Sequence, residues 1–150
     1  DGVAYTASGW VASTPHRALT EAEVVALVED FRSAAQRGLE AGFDGVEVHG
    51  ANGYLIDQFL QDGSNVRTDE YGGSIENRAR FAIEVATAIA KEIGADRTAI
   101  RLSPGMALWG IDEGEQGPAL YRYLVTALDK LGLAYLHIAH QGDEALLADI

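Results

Sequence analysis

The sequence contains no cysteine, which excludes disulfide frameworks, zinc–thiolate sites, iron–sulfur clusters held by this chain and cysteine nucleophiles. Basic residues are also scarce: 11 Lys and Arg stand against 23 Asp and Glu, for a formal net charge of -12. Neutralising phosphates needs clustered cations, so nucleic acid is not an expected partner. Adsorption to an anionic membrane surface is disfavoured on the same ground. No apolar run approaches the ~18 residues that suggest a membrane-crossing helix, and the first ten residues have neither a basic nor an apolar leader character. A cytoplasmic location is therefore expected. There is also no repeat of fixed period, no low-complexity stretch and no linker that marks a domain boundary. What is present suits a globular domain: 47% apolar and 23% charged residues over 150 positions.

Periodicity places the elements. Residues 1–19 read as a loop or short hairpin. Thr20-Glu21-Ala22-Glu23 is a capping box, and Val24, Leu27, Val28, Phe31, Ala35 and Leu39 follow at helical spacing until Gly42. Residues 44–49 read as a strand, and 54–60 as one or two helical turns. The Gly-rich stretch 61–73 reads as a loop. Ser74 caps a second long helix ending at Gly94, a strand covers 99–103, and Pro118 opens a third helix. Residues 133–138 form the last expected strand. Helix and strand alternate, and each crossover is long enough for parallel pairing, so the class is α/β. No G-x-G-x-x-G follows a strand, which argues against a dinucleotide-binding sheet.

In parallel α/β folds ligands bind past the carboxyl ends of the strands. The first strand runs into His49-Gly50-Ala51-Asn52-Gly53-Tyr54. His49 and Asn52 both supply N–H donors, which suits an oxygen that gains negative charge during reaction. Tyr54 adds a phenol that can act as a general acid. On spacing alone these residues read more simply as a histidine satisfied within the fold, a turn-forming Asn-Gly and a packed tyrosine. Arg101 lies inside an otherwise apolar strand, a costly place for a cation unless a structural carboxylate or a bound anionic group pairs with it. The polar run from Asn65 to Arg80 reads as a solvated loop and capped helix. His137 and His140 have an H-x-x-H spacing, but without a third placed ligand no metal site is expected. Asp112, Glu113 and Glu115 are expected to face solvent.

Three blocks carry a resemblance. They are the run from Ala41 through His49-Gly50-Ala51-Asn52-Gly53-Tyr54-Leu55 to Leu60, the run from Asn65 through Asp69-Glu70-Tyr71-Gly72-Gly73-Ser74 to Phe81, and Ile100-Arg101-Leu102-Ser103-Pro104. In that order they resemble the Old Yellow Enzyme family of FMN-dependent ene-reductases. The resemblance implies a TIM (β/α)8 barrel, with the three strands as the fourth to sixth of eight and residues 1–150 as a partial barrel segment. A complete barrel needs about 250 residues. It also implies a reaction in two halves: NAD(P)H reduces FMN, and the flavin passes hydride to the β-carbon of an activated alkene such as an enone, maleimide or nitroalkene.

By matching position, His49 and Asn52 are implied to bind the substrate oxygen, and Tyr54 to protonate the α-carbon. Arg101 is implied to sit at the flavin N1/C2 carbonyl edge, where a cation favours the anionic reduced ring. The Asn65–Arg80 block is implied to be architectural. A three-stranded piece exposes two strand edges and its inner face, so a homo-oligomer or a complementing barrel fragment is an expected partner besides the small-molecule alkene. A different class of function is a non-catalytic partial-barrel module that self-associates or binds a partner chain. Related flavin chemistry on dienoyl thioesters or amines often uses an iron–sulfur cluster, which this cysteine-free segment cannot bind.

Overall fold

The computed structural model describes residues 3–12, 16–106, 111–140 and 143–150. An antiparallel hairpin comes first, pairing β1 (Val3–Thr6) with β2 (Gly9–Ala12) in the register Thr6↔Gly9. The main layer is a parallel sheet of β3 (Val46–Gly50), β4 (Thr98–Leu102) and β5 (Tyr135–Ile138), in that spatial order. The helices are α1 (Glu21–Glu40), α2 (Leu55–Leu60), α3 (Ile75–Ile93), α4 (Gly117–Asp129) and α5 (Glu144–Asp149). The expected α/β order is thus present, with α2 and α3 carrying the chain from β3 to β4 and α4 from β4 to β5.

Local chemistry sets the helix ends. Thr20 Oγ1 accepts the Glu23 N–H at 3.3 Å, and Glu23 Oε2 accepts the Thr20 N–H at 2.8 Å, completing both arms of the capping box. At the other end of α1, Gly42 takes φ +97°. Its N–H reaches Leu39 O at 2.9 Å while the Phe43 N–H reaches Gly38 O at 3.2 Å, the paired bonds of a Schellman stop. Ser74 caps α3 by accepting the Asn77 N–H, and Pro118 sits in the first turn of α4.

The bounds of all three strands differ from expectation. β3 runs from Val46 to Gly50 rather than from 44 to 49, because its partner β4 begins only at Thr98, the register mate of Val46, after a 3-10 turn at Ala95–Arg97. β4 starts and stops one residue earlier, and β5 starts at Tyr135 rather than 133. Helix α5 was not expected; Asp143 caps it by accepting the Leu146 N–H, and Leu146 is buried.

The core lies on one side of the sheet. Val48, Ile100 and Leu102 face Phe81, Val85 and Ile89 of α3 and Leu120, Leu124 and Leu128 of α4 within a single apolar cluster. Burying each such side chain contributes about 1.5–3 kcal/mol. Phe59 of α2 stacks against Phe81 with ring centroids 4.7 Å apart, which joins the short helix to the same core. Because side chains alternate along a strand, the opposite face carries Glu47 and His49, Ala99 and Arg101, Tyr135 and His137. Among the described residues that face has no helix layer: Glu47, His49, Tyr135 and His137 are exposed and Arg101 is half-buried.

Candidate active site

The carboxyl end of the open face brings the expected residues together. His49 is the register partner of Arg101, and Arg101 is the register partner of His137, so the three form one row across the sheet. The chain then leaves β3 through Gly50, where a Cβ would come within 3.1 Å of Arg101 O. Asn52 and Gly53 follow with φ of +59° and +79°, and Asn52 is the one non-glycine with positive φ among the described residues. This double left-handed turn folds Tyr54 back over the end of β3. Its ring centroid lies 5.3 Å from that of His49, at an interplanar angle of 56°. Tyr54 is the N-cap residue of α2 but makes no side-chain cap, and its ring is 64% exposed, so the phenol is open to a ligand above the strand.

The turn is held from beneath. Asp57 occupies the third helical position of α2 and is fully buried. Its Oδ2 accepts the Gly53 N–H at 2.8 Å, and its Oδ1 accepts Gln61 Nε2 at 2.8 Å. Ser103, just past β4, accepts the Asn52 N–H at 2.8 Å, and its hydroxyl stands beside the Asp57 carboxyl. Burial pushes the Asp57 carboxyl above its ordinary range, while the bonds from Gln61, Gly53 and Ser103, and nearby His49, pull it back. Neither Asp57 nor Ser103 stood out in the sequence. The available signal was an acid at the third position of an otherwise apolar helical turn, where it can reach back to a preceding N–H.

Arg101 makes no ion pair among the described residues, and its Nε is buried without a hydrogen-bond partner. Of the two readings left open by its place in an apolar strand, the structural salt bridge is therefore absent among the described residues. One row below, Glu47 reaches over the small side chain of Ala99 to His137, with Oε2 3.1 Å from Nδ1. Glu47 beside Tyr135 also holds that phenol above its ordinary range. His137 is thus turned toward a carboxylate, and no three His, Asp or Glu side chains among the described residues stand close enough to hold a metal.

Two expectations need correction. The Asn65–Arg80 run is not merely solvated. Buried Asn65 donates to Phe59 O and Tyr71 O, both at 2.7 Å. Arg78, fully buried, donates to Leu60 O at 3.3 Å and Gln116 Oε1 at 3.0 Å. Its buried polar groups, Asn65 and Arg78, are bonded within the protein, while Thr68, Glu70, Ser74 and Glu76 are exposed, so the run is a partly buried frame of the architectural kind the resemblance implies. Asp112 and Glu115 face solvent as expected, but Glu113 is half-buried. It accepts the Gly105 N–H at 2.6 Å, and burial, with the Asp57 charge close by, pushes its carboxyl up. Among the described residues no helix is long and apolar enough to cross a membrane.

Comparison with known proteins places these features. The sequence is 55% identical to 12-oxophytodienoate reductase 2 of Arabidopsis thaliana over 126 residues, covering 83% of this chain and 33% of the relative. A chanoclavine-I aldehyde reductase of Penicillium roqueforti is 52% identical over 127 residues, covering 85% of this chain and 34% of the relative. The chain thus spans about a third of the length of these curated relatives. Morphinone reductase in complex with tetrahydroNAD superposes with a TM-score of 0.88 at 45% identity, covering 98% of this chain and 42% of that one. An Old Yellow Enzyme homologue from Zymomonas mobilis gives 0.87 at 38% identity, covering 93% of this chain and 39% of that one. The expected resemblance and the expected barrel-segment fold are both borne out. Since the sequence pattern of the family also matches residues 1–144, the chain belongs to the NADH:flavin oxidoreductase / NADH oxidase family.

Proposed function

We propose that residues 1–150 form the central part of an FMN-dependent ene-reductase barrel, with β3, β4 and β5 as its fourth to sixth strands. The observation that carries this reading is the grouping of His49, Asn52 and Tyr54 at the carboxyl end of β3, in register with an Arg101 whose buried Nε lacks a partner. That orphaned donor on an open strand end fits a ring carbonyl or anionic edge of FMN, so Arg101 is the residue of this segment that would hold it. When bound, FMN reduced by NADH or NADPH supplies the hydride. The reductase names of the relatives, and the nicotinamide analogue bound by morphinone reductase, support the same chemistry.

The chain's own residues do the rest. His49 and the Asn52 amide donate hydrogen bonds to the carbonyl or nitro oxygen of the alkene. They polarise the double bond and stabilise the charge that builds on that oxygen, an effect worth about 10²–10³ in rate per donor. Tyr54 holds a proton on its phenol for the α-carbon, which completes addition across the C=C bond. Enones, maleimides and nitroalkenes share the required electron-withdrawing oxygen. A cytoplasmic enzyme using either nicotinamide coenzyme is consistent with this scheme.

In the full-length, FMN-loaded protein, Tyr54→Phe should slow alkene reduction about 10²-fold or more while NAD(P)H-driven flavin reduction stays near wild type. Stopped-flow measurement of the two half-reactions reads this directly, and equal loss in both removes Tyr54 from the proton-donor role. A second reading rests on the outer edges of β3 and β5, which pair with no further strand among the described residues. It makes the 150-residue chain a module that self-associates or completes a barrel with another fragment. Light scattering after size exclusion separates the two readings, because a monodisperse, flavin-free oligomer favours the module.

A further inference from the structure

We propose that Asp57 is a positioning residue that, through Gly53 and through Ser103, locks the left-handed Asn52–Gly53 turn and so fixes where His49, Asn52 and Tyr54 stand. The proposal rests on the ene-reductase reading of that site. Asp57 is fully buried, so it does not touch a substrate and acts through other groups. Its two oxygens accept the Gly53 N–H and Gln61 Nε2, each at 2.8 Å. The Asn52 N–H is held by Ser103 Oγ at 2.8 Å, and the Ser103 hydroxyl stands beside the Asp57 carboxyl. Both backbone donors of the turn are therefore committed to inward-facing acceptors, Gly53 to Asp57 and Asn52 to Ser103.

The turn has reason to need such a lock. Two successive residues hold positive φ, and Asn52 carries a Cβ that the left-handed region disfavours. Without inward-facing acceptors, its N–H groups would be free to turn toward solvent and carry the Asn52 amide with them. Ser103 also lies two residues beyond Arg101 on the same stretch of chain, so the lock ties the end of β3 to the end of β4. The separation between the oxygen-binding donors and the flavin-facing cation is thereby fixed from below. Glu113, from the loop before α4, and Tyr121 of α4 are the other titratable groups facing Asp57 from behind. A helix-capping role alone would leave the site's donors where they are; positioning would not.

The test uses the full-length, FMN-loaded protein with Asp57→Asn and Ser103→Ala. Amide hydrogen exchange at Asn52 and Gly53 should accelerate about tenfold or more in Asp57→Asn, a readout that needs no turnover. The KM for a carbonyl-activated alkene such as cyclohexenone should rise about tenfold. Placed in an Asn52→Ala background, Asp57→Asn should add less than its full effect on KM, since the Asn52 side-chain amide that it helps to position is already gone. Should Asp57→Asn fail to fold, Ser103→Ala removes the Asn52 arm alone and should reproduce the faster Asn52 exchange and the raised KM. Wild-type exchange rates at both amides, or full additivity with Asn52→Ala, would overturn the proposal. A wild-type protein that reduces no activated alkene defeats the ene-reductase reading instead, while the exchange rates still decide whether the lock exists.

Discussion

The two faces of the parallel sheet use the same short strands for opposite ends. On one face Val48, Ile100 and Leu102 are almost wholly covered by helices. On the other, His49 and Glu47 are exposed, and Arg101 keeps a buried donor without a partner. A single step along β4, from Ile100 to Arg101, passes from the packed core to the candidate site. The contrast teaches that cohesion and chemistry are separated here by residue parity rather than by region. The apolar side holds the strands in place, while on the polar side Glu47 and His137 bond each other and Arg101 Nε is left without a partner.

Paired substitutions would break or sharpen that contrast. Ile100→Ala should destabilise the folded protein most, by about 2–5 kcal/mol, because it opens a cavity among α3 and α4 side chains. Urea unfolding of the full-length protein measures this, and molecules that remain folded should keep their turnover. His49→Ala should show the reverse signature. Alkene reduction should fall by about 10²–10³, or roughly 2.7–4 kcal/mol of transition-state stabilisation. The unfolding midpoint should move by no more than about 0.5 kcal/mol, as for an exposed side chain. If His49→Ala weakened folding as much as Ile100→Ala, the separation by parity would fail.

The smallest effect concerns the helix layer alone. Glu23 is held down at about 2 from an ordinary value of 4.5, chiefly by Arg17 and then by the Thr20 N–H. A depressed carboxyl contributes stability above its ordinary value and loses it as the pH falls toward the folded value. Between pH 4.5 and about 2, the protection of amides in the first turn of α1, taken relative to intrinsic exchange at each pH, should therefore fall. Glu23→Gln should abolish that pH dependence, and the exchange of β3 and β4 amides should not follow it.

Much of this arrangement was legible in the residues, and the boundary of legibility has a physical cause. The Thr20–Glu23 box, the Ser74 cap and Pro118 act within a single turn, so their elements could be read without neighbours. Strand ends could not, because pairing depends on a distant partner: β3 starts at Val46 because β4 begins only at Thr98, after the turn at Ala95–Arg97. Helix α5 has six residues, too few to display a period, and depends on the Asp143 cap and the burial of Leu146. At the site, the residue types of His49, Asn52, Tyr54 and Arg101 announced donors, an acid and a cation. Their alignment awaited the β3–β4 register. Asp57 stayed hidden because one acid in a short helical turn looks like any solvent-facing position, and only the fold shows that it points inward.

The φ of +59° at Asn52 also limits what could ever replace it. Few side chains tolerate that backbone; glycine does so freely, and asparagine, aspartate and histidine are the others enriched there. Of these four, glycine has no side-chain donor, and ionised aspartate only accepts hydrogen bonds. An engineer seeking a different donor at position 52 therefore has histidine as the one exchange that satisfies the turn and still donates a hydrogen bond.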